Sequence, residues 1–142
     1  MIKPIIKTVA PSNADQAVGT VVLAFSADPI ARWFYPDPHD YLTNLPSFVR
    51  AFAGKAFENN SAYQINGYSG AALWLPPDVH SDEDALVALL QRSIPEEKQQ
   101  DIFAFMKRML PWKAFYSSLS YFSMWPFLMV THRTAPIIQM TK

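Results

Sequence analysis

The most regular stretch of the chain begins at Ala14. Ala14, Ala17, Val18, Val21, Val22 and Phe25 recur at the i, i+3, i+4, i+7 spacing of one helix face. The spacing predicts an amphipathic helix, with Pro11-Ser12-Asn13 as its cap. Ile2 to Ala10 reads as a preceding strand, with Pro4 tolerable only near its start or at an edge. Asp28-Pro29 is a second start signal, a capping acid followed by proline at the first helical position. That short helix carries Ile30, Trp33 and Phe34, and Pro36 and Pro38 then break it. A third helix is predicted from about Asp40 to Phe57, with Leu42, Leu45, Phe48, Val49 and Phe52 as its apolar stripe. Gly54 weakens its end.

The period then changes. Tyr63 to Asn66 and Ala71 to Leu75 read as two short strands joined through Asn66-Gly67, a strong hairpin signal. Pro76-Pro77 closes the second strand. Ser81-Asp82-Glu83-Asp84 opens a helix with acids in its first turn, where the helix dipole favours them. Leu86, Leu89 and Leu90 form its buried face. Ser93-Ile94-Pro95 breaks and restarts it, Ile102, Phe103, Met106 and Met109 continue it, and Pro111 is expected to end it. Phe115 to Met124 alternates and is rich in aromatics, as a buried strand would be. The order strand, helices, hairpin, helices, strand predicts one α+β domain over residues 1–142. Its sheet would be mostly antiparallel, of about four strands, with helices on its faces.

Composition narrows the functional classes. Half of the 142 residues are hydrophobic, enough for a real core. Twelve basic and 12 acidic residues balance, which argues against nucleic acid or an anionic membrane as a partner. Without cysteine, disulfides, thiolate metal sites and a cysteine nucleophile are excluded. The apolar run in Met1 to Ala10 is too short for a signal peptide, so a cytoplasmic location is expected.

The charge is unevenly spread. All acids lie at or before Asp101, and the 41 positions after it hold five basic residues, Lys107, Arg108, Lys113, Arg133 and Lys142. All four glycines lie at or before Gly70. Residues 107–142 therefore read as a divergent apolar and basic tail. Ala114 to Thr131 is a run of 18 uncharged residues between Lys113 and Arg133, the lower limit for a membrane span. Its four serines and Pro126 weigh against that use.

Most catalytic constellations are missing from the sequence. His39, His80 and His132 are widely separated, share no helix face and have no carboxylate cluster beside them, so no metal site is expected. Ser69-Gly70 lacks the rest of a nucleophile elbow, and neither a Walker loop nor G-x-G-x-x-G occurs. Two segments stand out. One is Ala24-Phe25-Ser26-Ala27-Asp28-Pro29-Ile30-Ala31-Arg32-Trp33-Phe34-Tyr35-Pro36-Asp37-Pro38; read by itself it is two helices around a proline-capped turn, with aromatics in the core. The other is Gly70-Ala71-Ala72-Leu73-Trp74-Leu75-Pro76-Pro77, by itself an inner strand with Trp74 packed on a helix.

In combination, and followed by a long helical insert, the two segments resemble one bacterial branch of the GNAT N-acetyltransferases, over about Val18 to Met106. The resemblance implies that the first segment is the helix pair roofing an acceptor site and the second an inner strand. It implies acetyl transfer from acetyl-CoA to an amine on a small molecule or peptide, the amine attacking the thioester while a base takes its proton and backbone amides polarise the carbonyl. Trp33, Phe34, Tyr35 and Trp74 are the implied substrate-binding residues, as shape-forming groups; Tyr116 and Tyr121 are proton carriers by location only. The family's cofactor loop, Q-x-x-G-x-G/A at a helix N-terminus, has no counterpart here. Ser118 to Pro126 matches the preceding strand, with Trp125 where the family has aspartate, and Phe127 to Arg133 then has neither glycine nor glutamine. The chain is therefore expected to be an incomplete GNAT-like fold, truncated or frame-shifted between about Lys107 and Phe127, and impaired in acetyl-CoA binding. The alternatives are a non-catalytic α+β binding or assembly module, self-associating through an exposed sheet edge, and a domain with a membrane-associated tail.

Overall fold

Two Asp-Pro pairs set the helical layout. The Asp28 carboxylate accepts the Ile30 and Ala31 N–H groups at 3.0 and 2.8 Å and opens α2, Pro29–Phe34. The Asp37 carboxylate accepts the His39 and Asp40 N–H groups at 2.8 and 3.1 Å and opens α3, Pro38–Ala53. Each such cap contributes about 1 kcal/mol. The sequence reading used Pro38 only as a breaker and began the helix at Asp40. Pro38 instead starts α3, because the N–H it lacks would be unpaired in a first turn anyway.

A computed structural model describes residues 3–117 and 130–131 of the chain, with side chains from Lys3 to Arg108. Helix α1, Ala14–Ala24, lies between two 3-10 turns and buries Ala14, Ala17, Val18, Thr20, Val21 and Val22. Thr20 is the polar member of that stripe, and its hydroxyl donates back to Gln16 O at 2.9 Å. Strands β1 (Ile6–Thr8), β2 (Ala62–Ile65) and β3 (Gly70–Leu73) form an antiparallel sheet in that order. Ile6 pairs with Ile65, Thr8 with Tyr63, and Ala62 with Leu73. Val130–Thr131 pairs antiparallel along the far side of β3, Thr131 opposite Gly70 and Val130 opposite Ala71. The described architecture is thus mixed α+β, with α1 packed between β3 and α3.

The expected hairpin forms, with both strands starting one residue earlier than the sequence suggests. Its connection, Asn66 to Ser69, is closed by Gln64 Oε1 accepting the Tyr68 N–H at 3.0 Å and by the N–H and hydroxyl of Ser69, which both donate to Ile65 O at 3.0 Å. Three expectations are corrected. The third helix divides at Gly54, and a short α4, Lys55–Glu58, follows. Leu45, Val49 and Phe52 of its expected stripe are buried and Phe48 packs against the core, but at the first turn Leu42 is 60% exposed and Tyr41 is buried in its place. The Tyr41 hydroxyl reaches Val22 O on α1. Finally, α6, Glu96–Ser117, runs past Pro111. A mid-helix proline costs about 3 kcal/mol, yet α3 also continues through Pro46, and α6 is anchored on α5, Glu83–Ser93, with Ile102 and Met106 buried. Phe115 to Ser117 therefore belong to a helix rather than to the predicted strand, whose remaining residues 118–124 lie outside the described ones.

The core joins α1, α3, α5 and one sheet face through Val21, Leu45, Val49, Leu73, Leu86 and Leu90. Among the described residues, no helix is long and apolar enough to cross a membrane.

Gly54 supplies a sharp test. A Cβ there would clash with Arg50 O, a backbone atom that cannot step aside. Glycine to alanine in a helix ordinarily stabilises by about 1 kcal/mol. Gly54→Ala is expected to destabilise instead, by about 1–3 kcal/mol through overpacking, read as a lower urea midpoint; a raised midpoint refutes the steric account.

Candidate functional site

The run Trp33-Phe34-Tyr35 ends α2 and gathers aromatic partners from two other helices. The Phe34 ring meets Trp33 at 5.6 Å, Phe48 of α3 at 5.7 Å and Phe105 of α6 at 6.0 Å, all edge to face. Trp33 also meets Phe105 edge-on at 5.9 Å, and Phe48 stacks on Phe52 at 5.8 Å. Edge-to-face pairs place the positive rim of one ring on the negative face of the next, worth about 0.5–1.5 kcal/mol each beyond burial. The cluster is therefore a stiff wedge between α2, α3 and α6.

Burial sorts the residues that the sequence singled out. Phe34 is 4% and Tyr35 1% exposed, so they form the floor of the region, while Trp33 is 38% exposed at its rim. Lys98 Nζ lies 3.4 Å from Trp33 O and neutralises part of the carbonyl end of α2. Trp74 follows β3 and is half-buried. It is fixed through its backbone: its N–H donates to Ser61 O at 3.0 Å, and the Ser61 hydroxyl donates to Trp74 O at 2.5 Å. The structure thus brings Trp33, Phe34 and Tyr35 together at one helix end and holds Trp74 at the α4–β2 junction. Tyr116 falls in α6 at a position whose side chain is not described, and Tyr121 lies outside the described residues.

Both described tyrosine hydroxyls nearby are committed to structure. Tyr35 shares a 2.8 Å hydrogen bond with Ser93, whose hydroxyl donates to Leu89 O at 2.7 Å, so the Tyr35 hydroxyl is the donor to Ser93. Burial raises the Tyr35 pKa above the ordinary phenol value. The Tyr41 hydroxyl donates to Val22 O at 2.5 Å and satisfies a carbonyl of the last turn of α1. Burial pushes Tyr41 up to about 12, against the Arg32 guanidinium, which stands 5.0 Å from its ring centroid and favours the phenolate. Neither hydroxyl can serve as a base near neutrality. The Asp28 and Asp37 carboxylates are used as helix caps, and Arg32 donates to Pro36 O at 2.6 Å. Among the described residues, no group of three or more His, Asp or Glu could hold a metal ion. The arrangement can bind an apolar or cationic group at Trp33; it presents no described proton acceptor beside it.

Sequence reasoning named Phe48 as core but not as part of this cluster, and it missed Phe105, Tyr41 and Ser93 as partners. Phe105 follows the pair Ile102-Phe103 and carried no separate signal. No family model, curated protein or solved structure matches the chain.

Tyr41 gives a pH test. Its neutral form is favoured by folding, so its contribution is complete below about pH 10 and is lost as the pH rises through about 12. Tyr41→Phe leaves Val22 O without its donor and is expected to destabilise by about 1–3 kcal/mol at neutral pH. In urea titrations the gap between the two proteins should close across that alkaline window; a gap independent of pH contradicts the buried-phenol assignment.

Proposed function

We propose that this chain carries the acceptor-side half of a GNAT-like acyltransferase, impaired in acetyl transfer because it cannot hold the cofactor's pyrophosphate. The observation that supports the reading is the run of helices α1 to α4 between β1 and β2, with α1 and α2 leading it and Trp33-Phe34-Tyr35 gathered at the end of α2. In the family that the sequence resembles, this is the position of the acceptor-site roof. The antiparallel order β1-β2-β3, with Val130–Thr131 beside β3, supports a four-strand front sheet of that type. The acceptor is an amine on a small molecule or peptide, engaged at the exposed Trp33, where an ammonium group over the ring gains cation–π attraction. Trp74 shapes the site from the end of β3.

The residues present do not fit acetyl-CoA. A pyrophosphate nest needs backbone N–H groups free at a helix start, usually with glycine, and no glycine follows Gly70. The described helix starts are also already occupied by acids: Asp15 on α1, Asp28 before α2, Asp37 and Asp40 at α3, Glu83 and Asp84 on α5, Glu96 and Glu97 on α6. These carboxylates take up the favourable dipole and repel phosphate. Calorimetry is expected to show no saturable heat with micromolar acetyl-CoA, and a micromolar dissociation constant overturns this part. Tryptophan fluorescence is expected to saturate with primary amines in the native chain and not in Trp33→Ala; an identical titration in both removes the acceptor assignment. The tied hydroxyls of Tyr35 and Tyr41 favour, as a second reading, a non-catalytic binding module on the same cluster. That module binds the amine but transfers no acetyl group at any cofactor concentration.

A further inference from the structure

The hairpin tip is chemically the least settled place in the described chain. Asn66, Gly67 and Tyr68 have φ of 48, 69 and 69°, three consecutive residues in the left-handed region. Only the glycine adopts it freely, asparagine tolerates it, and for a tyrosine it is strained. Asn66 and Gly67 are exposed. The Gly67 N–H makes no hydrogen bond among the described residues, and nothing lies within 4 Å of where a Cβ on Gly67 would stand. A backbone nitrogen with no partner among the described residues thus belongs to the residue directly after the asparagine, where bonding to Cγ closes a five-membered ring.

That side chain is itself held in a specific way. Asn66 Oδ1 accepts the Ile5 N–H at 2.9 Å, and the Asn66 N–H donates to Ile5 O at 3.0 Å. The pair clamps the start of the edge strand β1 to the tip. It also aims a backbone donor at the oxygen that gains negative charge if the Asn66 amide carbon is attacked. A fixed donor at a developing oxyanion lowers the barrier to its formation.

We infer that Asn66-Gly67 is a site of spontaneous deamidation and backbone isomerisation, promoted by the fold, whose product releases the edge strand. The Gly67 nitrogen, losing its proton to water, forms a bond to Asn66 Cγ, with the charge on Oδ1 stabilised by the Ile5 N–H. The Cγ–Nδ2 bond then breaks, and the leaving nitrogen takes up a proton and departs as ammonia, which leaves a five-membered succinimide. One water opens the ring at either carbonyl. Opening at the former backbone carbonyl routes the main chain through the side-chain carbons, giving isoaspartate; opening at Cγ gives aspartate. In sum one water is consumed and one ammonia released, with no oxidant or cofactor. Aspartate keeps an oxygen in place for the Ile5 N–H. Isoaspartate inserts an extra main-chain carbon at the tip and draws the acceptor away from Ile5, so β1 loses its clamp.

The test uses the intact chain. Native protein and the same protein in urea are aged side by side at neutral pH, and peptide mass spectrometry follows conversion of Asn66 against Asn13, Asn44, Asn59 and Asn60 as internal controls. Asn66 is expected to convert first, and roughly tenfold faster native than unfolded, a fraction of the ~10²-fold that one such donor gives in a water-excluded site. A native rate at or below the unfolded rate overturns the promotion by the fold. Hydrogen exchange then compares aged protein with the Asn66→Asp variant. Loss of protection at the Ile5 and Ile6 amides in the aged protein, with protection kept in Asn66→Asp, is expected. Equal protection in the two overturns the release of β1.

Discussion

Helix α3 buries Tyr41, Leu45, Val49, Phe52 and Ala53 along one stripe and packs on α1, α2 and α5, so its placement fixes theirs. A helix in that position must satisfy its end groups from within the protein. At its start, Asp37 accepts two N–H groups. At its end, the Asp82 N–H donates to Ala51 O at 2.9 Å and the Ser81 hydroxyl to Phe52 O at 2.7 Å, while Gly54 N–H donates to Arg50 O at 2.8 Å. Asp82 does double duty, because its side chain also caps α5 through the Ala85 N–H at 3.0 Å. The end of one helix and the start of the next are thus bonded into a single junction, which holds α5 against α3. The surface ion pair of Arg50 with Asp15 adds little by comparison, since Asp15 is almost fully exposed.

The same junctions explain what could be read from the sequence. Asp28-Pro29 and Asp82 announce helix starts through chemistry contained in neighbouring residues, and both were legible. Asp37-Pro38 is the same signal, but its proline follows Pro36 so closely that the pair reads as a break. The stripe of α3 was displaced from Tyr41 to Leu42 because hydropathy alone prefers leucine. What selects Tyr41 is a carbonyl 19 positions earlier in the chain, on α1, and no local pattern carries that information. The helix through Pro111 escapes the sequence for a related reason: anchoring of α6 outweighs a local penalty. The β2–β3 hairpin is legible from Asn66-Gly67, while the Gln64 side chain that closes its loop is not.

For the candidate site, the sequence singled out Trp33, Phe34 and Tyr35 without their depth. Trp33, Phe34 and Tyr35 are consecutive, and in a last helical turn consecutive side chains point about 100° apart. One must face outward if its neighbours face in. Which one does is decided by Phe48 and Phe105, which close over Phe34, and by Ser93, which takes the Tyr35 hydroxyl. Trp33 is left at the rim with an edge contact to Phe105. A site of this build contributes shape and an exposed ring face, and it holds its neighbouring hydroxyls neutral by burial. That combination suits recognition more readily than proton transfer.

The sheet has the opposite character at its two edges. Next to β3 lies the pairing with Val130–Thr131. At the other edge β1 is only three residues long and exposed at each of them, and it carries Lys7, with Lys3 and Pro4 just before it. Short length, lysine and proline are the means by which natural edge strands avoid pairing with other chains. Such a strand also holds weakly to its own sheet, since it adds few ladder bonds and no buried side chain. Its retention rests on the Ile5–Asn66 clamp at one end and the Val9 N–H to Ala62 O bond, 2.8 Å, at the other. The left-handed Tyr68 stores about 1–3 kcal/mol of strain beside the first of these. Behind β1 lies β2, whose Tyr63 is already 39% exposed and whose backbone groups on the side away from β3 are covered by this strand. The features that keep the outer edge from associating therefore protect the molecule only while the main chain at the tip is intact and the side chain at position 66 keeps an oxygen on the Ile5 N–H.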